Sequence, residues 1–284
     1  MKENPDSSDW AAERGDKWRA HLSFLEPMLH PVDEPLIRAL TLESPLRIAD
    51  IGCGGGATSL EVLSRAPAGS VVHGYDVAPG LVEYARGRAH AQAGKEDRSI
   101  AFHLADVSTA VPEAPYDRLV SRFGIMFFGD APGAFKNLFR WLVPGGRFAF
   151  AAWGPPSANA WIRSIRDAVA EVVEVPPPDL EAPGPFRYAD EKKLLSLLAA
   201  AGFGKLEVRD FSGRLPLGSG RAPAEVAQLS LAAFSGFSDL LEKAGDEVTA
   251  TARRALAARY DQHLQDGVVQ LAACVHIFTG ERPA

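Results

Sequence analysis

A short apolar run that ends in an acid and continues into a cluster of glycines is the feature that most constrains this chain. Residues 46–60 have the sequence LRIADIGCGGGATSL. The apolar part predicts a buried strand, the glycines predict a tight loop, and the residues after them can begin a helix. Such a loop brings the backbone close to a ligand at the carboxyl end of the strand.

Two kinds of ligand fit this loop. Residues 52–57, GCGGGA, satisfy the dinucleotide fingerprint G-x-G-x-x-G/A. When Asp50 is included, the same segment is D-x-G-x-G-x-G, which indicates a different cofactor. The loop alone leaves both possibilities open.

Strands and helices alternate on both sides of this loop. The patterns predict strands at 46–51, 70–75, 99–104, 117–121, 147–153, 205–211 and 268–279. They predict intervening helices at 58–65, 79–93 and 132–142. Strands that alternate with helices indicate a parallel sheet with helices on both faces. We therefore predict an α/β fold with a doubly wound, Rossmann-like sheet of seven strands.

The rest of the chain predicts a helical cap. Residues 1–44 form an N-terminal helical cover, with helices expected at 9–24 and from Pro31 to Leu40. The core spans 45–284 and carries cap insertions at about 154–189 and 216–265. The first insertion holds two proline-rich stretches, and a connection of this length is typical of a functional cover. Further helices are predicted at 160–173, 190–201, 224–243 and 246–264.

The composition limits the expected binding partners and the expected cellular compartment. The net charge is −6, which argues against nucleic acid as the main partner. No apolar run is long enough to span a bilayer, and the polar N-terminus lacks the apolar centre of a signal peptide. Cys53 and Cys274 have no metal-ligand spacing. We expect a cytoplasmic protein with no metal and no membrane partner, as a monomer or homodimer.

Acids end the first three predicted strands, where a ligand of this fold binds. Asp50 lies beside the glycines, Asp76 ends the second strand, and Asp106 ends the third. A carboxylate at Asp76 has two oxygens for the two hydroxyls of a ribose. Asp106 can accept from the amine of adenine while the backbone N–H of Val107 donates to the ring. Because NAD and S-adenosylmethionine both contain ribose, Asp76 alone does not separate them.

A further pattern covers the fourth and fifth predicted strands and the helix between them. Residues 116–153 have the sequence YDRLVSRFGIMFFGDAPGAFKNLFRWLVPGGRFAFAAW. With the acids and the glycine loop, the chain resembles the class I S-adenosylmethionine-dependent methyltransferases. It is most similar to a bacterial small-molecule group, the ubiquinone-methyltransferase-like enzymes, marked by SRFG-MFF, PGG, NAWI and PGPF. The resemblance covers nearly the whole chain and implies that the last strand is antiparallel. It also implies that S-adenosylmethionine is the cofactor and S-adenosylhomocysteine the product.

The resemblance also implies roles for particular residues. The glycines would let the backbone approach the methionine and ribose, and Asp50 would reach the methionine amino group through a water molecule. Ser121, Arg122 and Phe123 would flank the methionine end and the reacting methyl. The full predicted cofactor-binding set is Asp50, Gly52, Cys53, Gly54, Gly56, Asp76, Val77, Asp106, Val107, Ser121, Arg122 and Phe123.

The acceptor side is less constrained. His21, beside Trp18, is the best candidate for a general base, and the alternative is that no side-chain base is used. A set of mostly aromatic residues predicts a pocket for a medium-sized, partly apolar molecule. Its members are Trp10, Trp18, Phe127, Asn159, Trp161, Phe186 and Tyr188.

Three functions follow from these observations. The first is methyl transfer to an oxygen, nitrogen, carbon or sulfur of a small molecule in specialised metabolism. The fourth strand ends in Ser-Arg-Phe-Gly rather than in N-P-P-aromatic, which disfavours nucleic-acid and protein acceptors. The second is a cyclase or isomerase that binds S-adenosylmethionine without transferring its methyl. The third is an NAD(P)-dependent oxidoreductase.

Overall fold

The computed structural model describes residues 10–92 and 97–284. The side chain of Trp10, a predicted pocket residue, lies outside this described part. Within the described residues, no helix combines the length and the apolarity that crossing a membrane requires.

A single mixed sheet organises the chain. Its strands are β1 Arg47–Ile51, β2 Val71–Asp76, β3 Ser99–Leu104, β4 Tyr116–Arg122, β5 Leu142–Trp153, β6 Gly204–Leu217, β7 Leu264–Gln265 and β8 Val268–Glu281. The order is β3-β2-β1-β4-β5-β8-β6, and β7 pairs with β8. The first five of these strands are parallel, whereas β8 runs antiparallel to both β5 and β6. The predicted doubly wound sheet with an antiparallel last strand is confirmed, with the two-residue β7 as an addition.

Helices surround the sheet. They are α1 Gly15–Ala20, α2 Leu22–Leu29, α3 Asp33–Ala39, α4 Ala57–Arg65, α5 Pro79–Gln92, α6 Ala131–Trp141, α7 Ala160–Ala170, α8 Glu191–Ala201, α9 Pro223–Ala233, α10 Ser235–Ala244 and α11 Asp246–Asp261. Local signals fix several ends: Asp130 caps α6 by accepting from the N–H of Gly133, and Gly202 ends α8 in a left-handed conformation. Helices α4, α5 and α6 each return the chain to the start of the next parallel strand.

The core occupies both sides of the sheet. Tyr116, Phe135, Trp141 and Phe148 are almost completely buried, and so are the central residues of β1. Helices α2 and α3 and the turn between them contribute a further group of buried apolar side chains, Leu25, Met28, Val32, Leu36 and Ile37. The N-terminal cover is therefore packed into the same core as the sheet.

Four predicted elements differ from the structure. The strand expected at 205–211 continues to Leu217 as β6, where it stays paired with β8. The helix expected at 9–24 breaks at His21, which has φ −113° and ψ 11°. The helix expected at 224–243 breaks at Phe234, whose ring packs 4.9 Å from that of Trp161 just before the poor helix formers Ser235 and Gly236. Residues 144–146, Pro-Gly-Gly, form an irregularity inside β5 rather than a turn before it, because the register with β4 shifts there.

Candidate functional site

The glycine loop makes a close contact between β1 and β4. Gly52 and Gly54 have positive φ angles of 69° and 53°, a region that favours glycine. A β-carbon on Gly52 would lie 2.8 Å from the Cα of Gly124, which follows β4. Since β1 and β4 are the neighbours at which the strand order reverses, this loop lies at the topological switch point of the sheet.

A cavity of about 750 Å³ opens at this switch point. Most of the predicted cofactor-binding set lines it: Asp50, Gly52, Cys53, Gly54, Asp76, Val77, Asp106, Val107, Arg122 and Phe123. Gly56 and Ser121 do not. A β-carbon on Gly56 would lie 2.7 Å from the ring of Phe102, so that glycine allows packing beneath the loop. The hydroxyl of Ser121 donates to the carbonyl of Ile51 at 2.7 Å, which joins the two strands.

Asp76 and Asp106 are held by backbone and side-chain donors. The Asp76 carboxylate accepts from the N–H groups of Gly54 at 2.8 Å and Ala78 at 2.9 Å. Burial nevertheless raises the pKa of Asp76 above its usual value. One oxygen of Asp106 accepts from both the N–H and the hydroxyl of Ser108. These hydrogen bonds hold both carboxylates in position at the edge of the cavity.

Asp50 is the most deeply buried acid of the cavity wall, with 1% of its surface exposed. Its Oδ2 accepts from the hydroxyl of Ser59 at 2.6 Å, whereas its Oδ1 has no partner among the described residues. Burial raises the pKa of Asp50 to about 7. A buried oxygen without a donor is costly, so this position favours a ligand that brings a donor or a positive charge.

An ion pair between the N-terminal cover and the end of β4 lies next to Asp50. Arg122 donates through Nη1 to Oδ2 of Asp33 at 2.7 Å, and these side chains are 9% and 3% exposed. The hydroxyl of Thr58 donates to the other Asp33 oxygen at 3.2 Å. No sequence pattern pointed to Asp33, because it is 89 positions from Arg122 and only the fold brings them together.

Aromatic rings in contact with one another line part of the cavity and form its aromatic wall. Phe123, with a positive φ of 69°, stacks on Trp153 with ring centres 4.2 Å apart. Trp153 is followed by Trp161 at 4.8 Å, and Trp161 by Phe234 at 4.9 Å. Of the predicted pocket set, Trp18, Phe127, Trp161 and Phe186 line the cavity. Trp153, Phe234 and Phe237 line it too, although no sequence pattern assigned them to the pocket.

Three predicted acceptor-side residues do not line the cavity. Asn159 is fully buried, donates to the carbonyls of Gly154, Pro155 and Cys274, and accepts from the N–H of Cys274. Tyr188 is also fully buried, with its ring near that of Phe135. His21 lies at the break between α1 and α2, and burial lowers its pKa. The sequence pattern identified these side chains but not the direction in which they face.

A group of possible metal ligands lies elsewhere. Asp210, Cys274 and His276 approach one another within 4.8 Å, and none of them lines the cavity. Both ring nitrogens of His276 are already engaged, Nδ1 with Asp210 at 2.6 Å and Nε2 with the carbonyl of Ala189 at 3.2 Å. These contacts explain the cluster, because they join β6, β8 and the segment before α8.

Comparison with known proteins agrees with this geometry. A family model described as a methyltransferase domain matches residues 48–146. Aklanonic acid methyltransferase DauC from Streptomyces sp. (strain C5) is 35% identical over 138 residues, which is 47% of this chain and 58% of that protein. Demethylmenaquinone methyltransferase from Thermus thermophilus is 33% identical over 175 residues, which is 58% of this chain and 77% of that protein. The chain belongs to the class I S-adenosylmethionine-dependent methyltransferases.

The structure of this methyltransferase is also similar to a solved one. The [4+2]-cyclase SpnF matches with a TM-score of 0.55 and 19% identity over 89% of this chain and 80% of that chain, a likeness of fold. Membership of the methyltransferase family decides between the two ligands that the glycine loop alone allowed. S-adenosylmethionine, rather than a nicotinamide dinucleotide, is the cofactor of this family.

Proposed function

We propose that this methyltransferase transfers a methyl group from S-adenosylmethionine to a small, partly apolar acceptor. The observation that carries the proposal is that one cavity joins the acidic strand ends to the aromatic wall. When bound, S-adenosylmethionine supplies an electrophilic methyl on a sulfonium. The residues of the chain then have to orient the acceptor for in-line displacement and exclude water.

The acidic edge of the cavity fits the cofactor. In this proposal Asp76 holds the ribose hydroxyls, Asp106 with Val107 holds the adenine, and Asp50 receives the methionine ammonium. The unbonded Oδ1 of Asp50 supports the last assignment, since an ammonium would supply the missing donor. The indole of Trp18 lies over the loop, since a β-carbon on Gly54 would lie 3.8 Å from its nitrogen.

The acceptor side supports transfer without a side-chain base. No histidine in residues 10–92 and 97–284 lines the cavity. Several lining acids outside the cofactor edge already have partners: Glu26 binds Arg88, and Asp130 and Asp179 accept from backbone N–H groups. We therefore propose that the acceptor atom ionises easily by itself and that the aromatic wall positions it.

A role in specialised metabolism is part of this proposal. The relative DauC is named for aklanonic acid, and the aromatic wall of this chain suits a partly apolar acceptor. The competing function is a cyclase that binds S-adenosylmethionine without transferring its methyl group. The likeness to SpnF concerns the fold alone. Release of S-adenosylhomocysteine separates the two functions.

The test is transfer of label from methyl-labelled S-adenosylmethionine into an extract of the source organism. The extract is then separated into small-molecule and macromolecular fractions, with the Asp76→Asn protein as the control. Label in the small-molecule fraction, absent with the control, is the expected result. Label in protein or nucleic acid would contradict the acceptor class, and tight cofactor binding with no label in either fraction would favour the cyclase.

A further inference from the structure

We propose that Asp33 is a positioning residue that holds Arg122 ready for the carboxylate of the cofactor's amino-acid group. The N-terminal cover then forms part of the cofactor site rather than merely closing over it. This inference rests on the proposed function, because it assumes that S-adenosylmethionine lies in the cavity.

The amino-acid end of the cofactor carries an ammonium and a carboxylate on one carbon. A site for it needs an anion and a cation side by side. Besides Asp76, which is assigned to the ribose, three acids with most of their surface buried lie in this region: Glu26, Asp33 and Asp50. Their existing bonds determine which of them is available to an ammonium.

Two of these acids already have a cationic partner. Glu26 accepts from Arg88 at 2.8 Å, and Arg88 also donates to the carbonyl of Gly55. Asp33 accepts from Thr58 with Oδ1 and from Arg122 with Oδ2. The Nδ1 atom of His30 lies 3.4 Å from the same Oδ2. Of the three, only Asp50 retains a buried oxygen without a partner in the described part of the chain, so the ammonium belongs there.

The cation beside Asp50 is Arg122. It lies at the end of β4, and Val120 of that strand is paired with Asp50 of β1. Arg122 lines the cavity at this strand end, whereas the other lining cations belong to the cover or the cap. Those other cations are Arg14, Lys17, Arg163 and Arg166.

Asp33 sets the direction of this guanidinium. A guanidinium has five N–H donors in a planar fork, and Arg122 is bonded to Asp33 through Nη1. The remaining donors are available to a second carboxylate, for which the fork geometry is suited. Without Asp33 the arginine would lose the carboxylate to which it is bonded and would be free to adopt other rotamers.

The test compares two ligands that differ in the amino-acid group. S-adenosylhomocysteine carries that group, whereas 5′-methylthioadenosine lacks it, and calorimetry gives the affinity of each. We expect Asp33→Asn to weaken S-adenosylhomocysteine binding about tenfold or more, the loss of one charge-assisted contact. The affinity for 5′-methylthioadenosine should change by less than about threefold.

Glu34→Gln is the matched control. Glu34 lies beside Asp33 on α3, is exposed, and pairs with Arg38 and Arg65 away from the cavity lining. The Glu34→Gln variant should bind S-adenosylhomocysteine and 5′-methylthioadenosine with wild-type affinities. If Asp33→Asn does not fold, Asp33→Asn/Arg122→Gln removes both charges of this pair together. That double variant should bind S-adenosylhomocysteine no more weakly than Arg122→Gln alone.

The outcomes separate the role of Asp33 from the presence of the cofactor site. Equal losses for both ligands in Asp33→Asn, or no loss for either, would overturn the role of Asp33 while leaving the cofactor site intact. Wild-type protein that binds neither ligand would instead overturn the proposed function on which the inference rests.

Discussion

At the scale of single residues, Asp50 contributes a pH dependence to the stability of the cofactor-free protein. Its carboxylate is buried against Ser59, and its second oxygen has no partner among the described residues. Burial favours the neutral acid, which is why the pKa of Asp50 is raised to about 7. The folded protein therefore binds a proton at Asp50 that the unfolded chain releases at lower pH.

This difference predicts a pH-dependent stability. Because the folded state holds the proton up to about pH 7, the free energy of unfolding falls as the pH rises from about 4 to 7. Relative to Asp50→Asn, the wild type should lose on the order of 4 kcal/mol across this window and nothing further above it. Urea denaturation of both proteins at pH 4, 6 and 8 measures the difference. Parallel stability curves would contradict it.

Asp76 carries the predicted contact with the ribose. Asp76→Asn keeps the size of the side chain but replaces one acceptor oxygen by a donor. We expect the dissociation constant for S-adenosylhomocysteine to rise at least about tenfold. Asp117→Asn, at the opposite end of β4 where Asp117 accepts from the N–H of Arg47, should leave it unchanged. Wild-type affinity in Asp76→Asn would contradict the ribose assignment.

At the scale of elements, two glycines of neighbouring segments have opposite roles. Gly87 lies in the middle of α5 and is exposed, and a β-carbon added there would meet nothing within 4 Å. Gly52 has a positive φ, and its β-carbon would strike the backbone of Gly124. The first glycine is replaceable, and the second is required by the contact between β1 and β4.

This contrast predicts opposite changes in stability. Gly87→Ala should raise the free energy of unfolding by about 0.5–1 kcal/mol, because alanine loses less backbone freedom in a helix. Gly52→Ala should lower it by more than about 1 kcal/mol through strain. Chemical denaturation of the two variants against wild type measures both. A stabilising effect of Gly52→Ala would be inconsistent with the close contact described.

Elements of the sheet were predictable because their signals are local. The strand–glycine–helix segment at 46–65 is encoded within a few residues. The break at Phe234 was not predictable, because the apolar pattern continues through it and the packing against Trp161 is remote in sequence. The same limit applies to the candidate site: the strand-end acids that line the cavity have local signals, whereas Asp33 and the direction in which Asn159 faces depend on the assembled fold.

At the scale of the whole molecule, segments far apart in sequence enclose the cavity. Lys17 of the cover binds Asp239 of α10 at 3.1 Å, and Glu26 of the cover binds Arg88 of α5 at 2.8 Å. Asp33 adds the contact with the end of β4. A ligand in the cavity should therefore stabilise the cover and the sheet together.

Cofactor binding should be visible as a global stabilisation. S-adenosylhomocysteine at about one hundred times its dissociation constant adds roughly 2.7 kcal/mol to the free energy of unfolding. For a domain of this size we expect a rise in Tm of about 5–10 °C. Amide hydrogen exchange should slow in residues 15–29 as well as in the glycine loop. Slower exchange confined to the loop would contradict the coupling to the cover.

The measurement that tests the assignment of the cavity most directly is the crystal structure of the complex with S-adenosylhomocysteine. We expect the ribose on Asp76, the adenine beside Asp106 and Val107, the ammonium on Oδ1 of Asp50, and the thioether sulfur facing the aromatic wall. A ligand bound in the reverse direction, or outside the cavity at the switch point, would contradict the assignment.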